Sequence, residues 1–323
     1  MIIDTGNILL IGAVLLFFSI IAGKAGFRFG VPVLLLFLGV GMLFGSDGLG
    51  IQFNNPQGAQ FIGMIALSII LFSGGMDTKI EEIRPVIAPG IILATLGVLL
   101  TTLFTGGFVY LIAVWIFPET QTTLTGCLLL AAIMSSTDSA SVFNILRSKR
   151  LNLKHNLRPL LELESGSNDP MAYMLTILLI QMLQSGEMSI WQICFSFFKQ
   201  FSIGSLAGYI LGRIAVYLLN HIQIPNQSLY QIILLTLVFF TFSFTEILQG
   251  NGYLAVYIAG LVVGNYRIIN KKNIANFFYA NAWLFQIIMF LSLGLLVNPK
   301  ELIHVSWIGL LIGFFMILFA RPL

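Results

Sequence analysis

The amino-acid sequence predicts an all-α polytopic membrane protein. Hydrophobic residues make up 58% of the 323 positions and charged residues only 9%, whereas soluble domains carry about 25% charged residues. The apolar residues are also gathered into long runs that short connections separate. A soluble fold of this size could not bury so much apolar surface without exposing large patches.

About 11 segments qualify as candidate membrane spans, because a helix needs roughly 20 apolar residues to cross a bilayer core of about 30 Å. The fourth and seventh segments are long, which predicts tilted helices, and the ninth is short. The connections leave no room for a soluble domain between spans. The approximate segments are 6–23, 31–45, 58–76, 86–117, 122–146, 158–183, 190–220, 228–247, 252–266, 274–297 and 303–323.

The placement of Lys and Arg predicts the orientation of the spans. With the N-terminus outside, 13 of the 16 positive residues fall at cytoplasmic connections and helix ends, while Lys199 and Lys300 fall outside. One missed span would scramble this partition, so the partition supports the span count. The net charge of +3 is too small to suggest a nucleic-acid partner. The cytoplasmic residues are Lys24, Arg28, Lys79, Arg84, Arg147, Lys149, Arg150, Lys154, Arg158, Arg213, Arg267, Lys271 and Lys272.

A polar run interrupts the fifth predicted span. It extends from Ser135 to Ser141 and contains Asp138. Ser, Thr and Asp side chains compete for backbone hydrogen bonds and cap new helices, which predicts an unwound centre and a second helix half beginning near Ser139. Arg147 follows Asp138 by about 14 Å of helix, which predicts a depth near mid-membrane. Broken helices at that depth form ion sites in secondary transporters. A polar seam between packed helices is the alternative.

The sixth predicted span carries a second acidic motif. If the helix begins at the charged end of the span, Asp169 lies about 16 Å along it, with Ser165 one turn earlier on the same face. Pro170 has no amide hydrogen, so the carbonyl of Gly166 is left available at the same depth. Carboxylate, hydroxyl and carbonyl oxygens suit a hard cation, which predicts a cation site at Asp169. Alternatively, Asn-Asp-Pro begins a helix, which would place Glu164 in a loop.

Arg321 has two interpretations that the residues alone leave open. Ionisable groups within a span are costly and are functional candidates, and Arg321 follows an apolar run over 303–320. Arg321 could equally mark the cytoplasmic flank of the last span. The sequence stops at Leu323 with no polar loop after this apolar run, which predicts that the chain is truncated.

These stretches resemble the sodium/proton and potassium/proton exchangers of the NhaP branch of the cation:proton antiporter family. The resemblance covers essentially the whole chain, and its pieces follow one another in the family's order. The matching stretches are Phe72-Ser73-Gly74-Gly75, Thr137-Asp138, Glu164-Ser165-x-x-Asn168-Asp169, Gly252-Tyr253-Leu254-Ala255 through Gly264-Asn265, and Ala320-Arg321.

The resemblance implies an inverted-repeat fold of about 13 spans, in which broken helices cross at mid-membrane, and usually a homodimer surrounded by membrane lipid. Residues 1–323 would be the exchanger's transmembrane domain. Residues 1–183 would form the first repeat, 190–220 a linker helix and 226–323 an incomplete second repeat, with the second broken helix beyond Leu323. Met76-Asp77-Thr78 and the chain end are more similar to the potassium/proton subgroup, which often carries a cytosolic nucleotide- or ion-sensing domain after the membrane part.

The resemblance also implies roles within the ion site. Asp169 would bind the cation and the proton alternately. Ser165, Asp138 and the backbone of Thr137 would assist, and Asn168 would orient the site.

Two further implications concern residues around that site. Glu164 would form a structural ion pair with Arg321 inside the membrane. Some relatives place an acidic residue where Ser73 stands, and a hydroxyl there leaves the choice between K⁺ and Na⁺ open.

The predicted function is exchange of a monovalent cation, K⁺ or Na⁺, for H⁺ across a bacterial inner membrane, without a cofactor and without enzymatic chemistry. Burial disfavours a charged carboxylate and a bound cation favours it, so Asp169 can hold a proton or a cation in turn. Asn168 does not titrate, which predicts electroneutral exchange through one carboxylate. A cation channel or an ion or pH sensor is the alternative. An intramembrane serine hydrolase is disfavoured, because no His in a predicted span could activate Ser165.

Overall fold

The computed structural model describes residues 7–29, 32–116, 119, 122–148, 153–185 and 189–322. Lys149, Arg150 and Leu323, together with a few predicted span ends, lie outside the described residues. The described residues form fourteen α-helices. Their bounds are α1 Ile8–Phe29, α2 Val33–Phe44, α3 Pro56–Asp77, α4 Ile80–Ile83, α5 Ile87–Ile92, α6 Val98–Ile116, α7 Leu124–Ser135, α8 Ser139–Ser148, α9 Leu157–Ser185, α10 Ile190–His221, α11 Ser228–Ile247, α12 Gly252–Asn265, α13 Lys271–Leu296 and α14 Pro299–Phe315.

Each of the predicted spans corresponds to helix in the described residues. Seven helical segments there are long and apolar enough to cross a membrane, and α2, α7 and α12 are shorter apolar helices. The predicted span 228–247 coincides with α11, and the short ninth span corresponds to α12. The all-helical fold class is therefore confirmed.

The fourth predicted span is a composite helix that begins earlier than residue 86. α4, a 3₁₀ turn at Arg84–Val86, α5, a π-helical turn at Leu93–Gly97 and α6 follow one another directly. Pro85 and Pro89 lack amide hydrogens, so the regular helical hydrogen-bond pattern cannot continue through them. The predicted start at residue 86 is too late, because the prediction counted apolar residues and α4 contains charged ones.

The predicted break in the fifth span is present. α7 ends at Ser135 and α8 begins at Ser139, so the residues between them leave the helix. α9 runs without interruption from Leu157 to Ser185 with Pro170 inside it. The alternative in which Asn-Asp-Pro begins the sixth helix is therefore excluded.

The chain divides into two compact units, one of residues up to Ile70 with Ala275–Trp307, and one of Leu71–Ile274 with the residues from Ile308 onward. The predicted inverted repeats follow a different division and stay a prediction. In the first unit, α1, α2 and the end of α13 share an apolar core. Its buried members are Ile11, Leu15, Val40, Ile51, Leu291 and Leu295.

In the second unit, α12 is buried and packs by direct backbone contact. A Cβ placed on Gly208 of α10 would lie 2.4 Å from the carbonyl oxygen of Ala255, and one on Gly260 of α12 would lie 2.4 Å from that of Phe72 in α3. Small residues permit such close approach of helices in membranes. Glycine at these positions therefore holds α3, α10 and α12 together around the candidate site.

Candidate functional site

Asp169 of α9 lies against the break between α7 and α8. The Ser136 hydroxyl donates a hydrogen bond to Asp169 Oδ1, and the Ser139 hydroxyl donates to Oδ2 at 2.7 Å. Ser139 is the first residue of α8, and the N-terminal end of a helix carries partial positive charge. Both carboxylate oxygens of Asp169 are therefore bound by groups at the break that stabilise a negative charge.

A second hydrogen-bond network adjoins the first. The Asn168 side-chain amide donates to Thr137 Oγ1 and, at 2.9 Å, to Glu164 Oε1. The Thr137 hydroxyl lies 3.5 Å from Ser165 Oγ, to which it donates. The side-chain carbonyl oxygen of Asn168 is buried without a hydrogen-bond partner in the described structure. Four predicted site residues therefore meet beside Asp169.

Asp138 lies at the same break, just before the start of α8. The Ser141 hydroxyl donates to Asp138 Oδ2 at 2.6 Å, and the Asp138 carbonyl accepts from the amide of Val142 in α8. The charge of Asp138 repels that of Asp169. Two carboxylates at one break create a negative potential that attracts a cation.

Gly166 has a packing role that the sequence did not indicate. A Cβ at Gly166 would lie 2.6 Å from the ring of Tyr257 in α12, which is fully buried. Pro170 leaves the Gly166 carbonyl without its usual amide donor. Gly166 therefore combines close packing with an available backbone oxygen.

Ser73 is buried in α3. The adjacent Gly74 abuts the ring of Phe143 in α8, since a Cβ there would lie 2.4 Å from that ring. Among the described residues, Ser73 makes no hydrogen bond to Asp169. The structure therefore places Ser73 near the broken helix without making it a partner of the carboxylate.

Arg321 lies at the C-terminal end of α7. Its guanidinium donates to the carbonyl oxygens of Ser136 at 3.2 Å and Ser135 at 3.5 Å. The last carbonyls of a helix lack intrahelical donors, and a cation is favourable at this end. These bonds place Arg321 at the helix break. They favour a role there over the alternative that Arg321 only marks the cytoplasmic end of the last span.

The predicted direct ion pair between Glu164 and Arg321 is absent from the part of the chain that the structure describes. Glu164 accepts from Asn168 instead, and its charge interacts with that of Arg321 at longer range. The physical reason for the difference is that the free carbonyls ending α7 bind the guanidinium.

We expect Glu164→Gln and Arg321→Gln to lower the thermal stability of the full-length protein in detergent with only a small coupling between them, because the two side chains have different hydrogen-bond partners and their charges interact without direct contact. A double-mutant cycle measures the coupling directly. Arg321→Lys is the control that keeps the charge and loses the second donor arm. If the double mutant lost much less stability than the sum of the two single losses, a direct ion pair between Glu164 and Arg321 would be supported.

Asn251 is a positioning residue that sequence reasoning missed. Its side-chain oxygen accepts from the amide of Leu254 at 2.8 Å, which caps α12. Its side-chain amide donates to the Pro170 carbonyl at 2.9 Å, and its backbone amide donates to the Gln200 carbonyl at 3.1 Å. Asn before a short apolar helix is an N-cap signal, but the sequence does not show that it also reaches α9.

The oxygen atoms around Asp169 are suited to a hard cation. Carboxylate, hydroxyl and backbone carbonyl groups are ligands of that class. Among the described residues, no group of three or more His, Cys, Asp or Glu side chains could hold a metal ion. The arrangement therefore offers oxygen ligands of this class around one carboxylate.

Comparison with known proteins gives the family. The family model described as "Sodium/hydrogen exchanger, transmembrane" matches residues 12–323. The K(+)/H(+) antiporter NhaP of Alkalimonas amylolytica is 44% identical over 318 residues, which cover 98% of this chain and 54% of that protein. The K(+)/H(+) antiporter NhaP2 of Shewanella sp. strain ANA-3 is 40% identical over 317 residues, with 97% and 54% covered. The chain thus spans about half the length of the curated relatives that it matches.

A solved structure gives the same fold. The sodium proton antiporter MjNhaP1 from Methanocaldococcus jannaschii superposes with a TM-score of 0.79 at 23% identity, covering 98% of this chain and 76% of that one. At this identity the likeness shows the fold alone. Taken with the match to the family model, it makes this chain an all-helical, multi-pass membrane protein of the sodium/hydrogen exchanger family, a family of transporters and not of enzymes.

Proposed function

We propose that this chain is the membrane domain of a monovalent cation:proton antiporter that exchanges K⁺ for H⁺. The single observation that carries the proposal is the Asp169 carboxylate, held at a helix break by the hydroxyls of Ser136 and Ser139. The names of the curated relatives favour K⁺. Na⁺ is the second candidate cation, because the solved relative is named a sodium proton antiporter.

The proposed mechanism is competition for one carboxylate. A hydroxyl can donate through its hydrogen or accept through its lone pairs. The hydroxyls of Ser136 and Ser139 therefore donate to an empty, charged Asp169, and they can turn their lone pairs toward a bound cation. A proton neutralises the same carboxylate in the alternate state. Exchange results if Asp169 becomes accessible to the opposite side of the membrane only when it holds a proton or a cation.

We also propose a bacterial inner-membrane location with the N-terminus outside, which the distribution of Lys and Arg supports. Membrane lipid would surround the spans, and the full-length protein would be a homodimer. A cytosolic regulatory domain would follow residue 323, which is consistent with the greater length of the curated relatives.

The test is a flux assay on the full-length protein in proteoliposomes that contain a pH-sensitive dye. With an imposed pH gradient, we expect K⁺ to drive proton movement at a lower concentration than Na⁺. A cation channel would instead carry K⁺ without a counter-proton. K⁺ flux that persists with no pH change would overturn the antiporter proposal.

We predict that exchange is electroneutral, because Asn168 beside Asp169 carries no charge. A net charge moved across 100 mV corresponds to about 2.3 kcal/mol, so an electrogenic exchanger would respond strongly to an imposed diffusion potential. The measurement compares proton flux in proteoliposomes with and without this potential, and we expect little difference.

Asn168→Asp should make the rate depend on potential or change its pH profile, because it adds a second titrating group. Asn298→Asp is the matched control, since Asn298 lies outside the site and bonds to Ser46. A strong response of the wild-type protein to potential would contradict the prediction.

A further inference from the structure

A polar cavity, of about 370 Å³, lies at the C-terminal part of α9. None of its lining residues belongs to the site at Asp169. They come from α9, α10 and the segment where α11 ends. The polar lining residues, here called the vestibule, are Gln181, Ser196, Lys199, Gln200, Glu246 and Gln249.

Glu246 is the acidic residue of the vestibule. It is half-buried, and its Oε1 accepts from the amide of Gly252 at 2.9 Å. Among the described residues, no Lys or Arg forms an ion pair with it. Lys199 instead donates to Gln249 Oε1 at 2.5 Å. Since a partly buried charge without a counter-ion is unfavourable, a cation beside Glu246 would lower the free energy.

One ridge of α9 connects the vestibule with the site. Asp169, Tyr173, Ile177 and Gln181 are spaced four residues apart, so each lies beside the next along a ridge that winds gradually around the helix. Ile177 and Gln181 line the vestibule, and Gln181 lies about 18 Å along the axis from Asp169. Tyr173 stands between them, with its ring edge-on to that of Tyr253 at 4.9 Å. The pair of Tyr173 and Tyr253 therefore lies along this ridge between Asp169 and the vestibule.

We propose that the vestibule is a second, low-affinity binding site for the transported monovalent cation and supplies Asp169 from the side of the membrane where α9 ends. This inference rests on the proposed exchange function. The carboxylate of Glu246, the amide oxygens of Gln181 and Gln200 and the hydroxyl of Ser196 offer the oxygen ligands that hard cations take. The charge of Lys199 opposes the cation and keeps the affinity low.

Binding without transport provides the first test. Rubidium ions are titrated by equilibrium dialysis against the full-length protein in detergent. Asp169→Asn should leave a weak Rb⁺ site, and Asp169→Asn combined with Glu246→Gln should weaken it about tenfold. Glutamine keeps an oxygen for the Gly252 amide, so the start of α12 is preserved. Loss of all Rb⁺ binding in Asp169→Asn alone, or residual binding that Glu246→Gln does not change, overturns the proposal.

Sided transport provides the second test. With K⁺ supplied on the side where α9 ends, Glu246→Gln should raise the KM for K⁺ about tenfold and change kcat much less. Lys199→Gln should lower the same KM, since it removes an opposing charge. A purely structural role would make both variants worse, so a raised KM in both overturns the site. A wild-type protein that binds Rb⁺ as described but moves no protons would instead refute the exchange function and leave the vestibule standing.

Discussion

Asp169→Asn is expected to abolish cation-driven proton movement by the full-length protein in proteoliposomes. Asparagine has nearly the same shape, and its oxygen can still accept from the hydroxyl of Ser136 or Ser139, so the break between α7 and α8 should keep its structure. The amide cannot release a proton and carries no charge to hold a cation. The variant therefore separates folding from exchange.

The measurement pairs the proton flux with the yield of monodisperse protein after gel filtration. Asp47→Asn is the matched control, because Asp47 is an acidic residue outside the site whose carboxylate lies 3.6 Å from Lys300 Nζ. The control should exchange at close to the wild-type rate. Substantial flux in Asp169→Asn would mean that another group carries the proton.

Gly260→Ala is expected to cause a large loss of folded protein. The added Cβ would lie 2.4 Å from the carbonyl oxygen of Phe72, which is backbone and cannot turn aside. Overpacking of a buried site costs about 1–3 kcal/mol when side chains can adjust, and the cost is higher where a helix must move. The melting temperature in detergent should therefore fall strongly.

Gly107→Ala is the matched control for this substitution. Gly107 lies in α6, and a Cβ there would have no atom within 4 Å. Alanine is favoured over glycine in helices by about 1 kcal/mol, so this variant should melt at or slightly above the wild-type temperature. Equal melting of both alanine variants and the wild type would contradict the backbone contact between α3 and α12.

Local signals account for what the sequence predicted well. The cluster of Ser, Thr and Asp competes for backbone hydrogen bonds within a few residues, so the break before Ser139 could be inferred without any tertiary information. The apolar run of α11 ends at clear polar boundaries. The continuation of α9 through Pro170 was predicted because a helix that begins at Asn-Asp-Pro would be short for a membrane span.

Contacts between helices account for what the sequence did not predict. Ser136 and Ser139 hold Asp169 because of how the break crosses α9, and nothing in the local pattern distinguishes them from the other hydroxyls. Arg321 binds carbonyls that are free only because α7 ends there. Glu246 stands at the end of an apolar span in no motif, and only the cavity beside it reveals its setting.

The glycine contacts of α12 limit how this part of the protein can change shape. Packed helices shear past one another by small shifts in which side chains exchange neighbours. At Gly208 and Gly260 the nearest neighbours are backbone atoms in close contact. A shift of α12 by a fraction of a turn would therefore make backbone atoms clash. α10, α12 and the adjoining end of α3 must therefore travel as one rigid block. Any switch in access has to be accommodated by looser interfaces elsewhere.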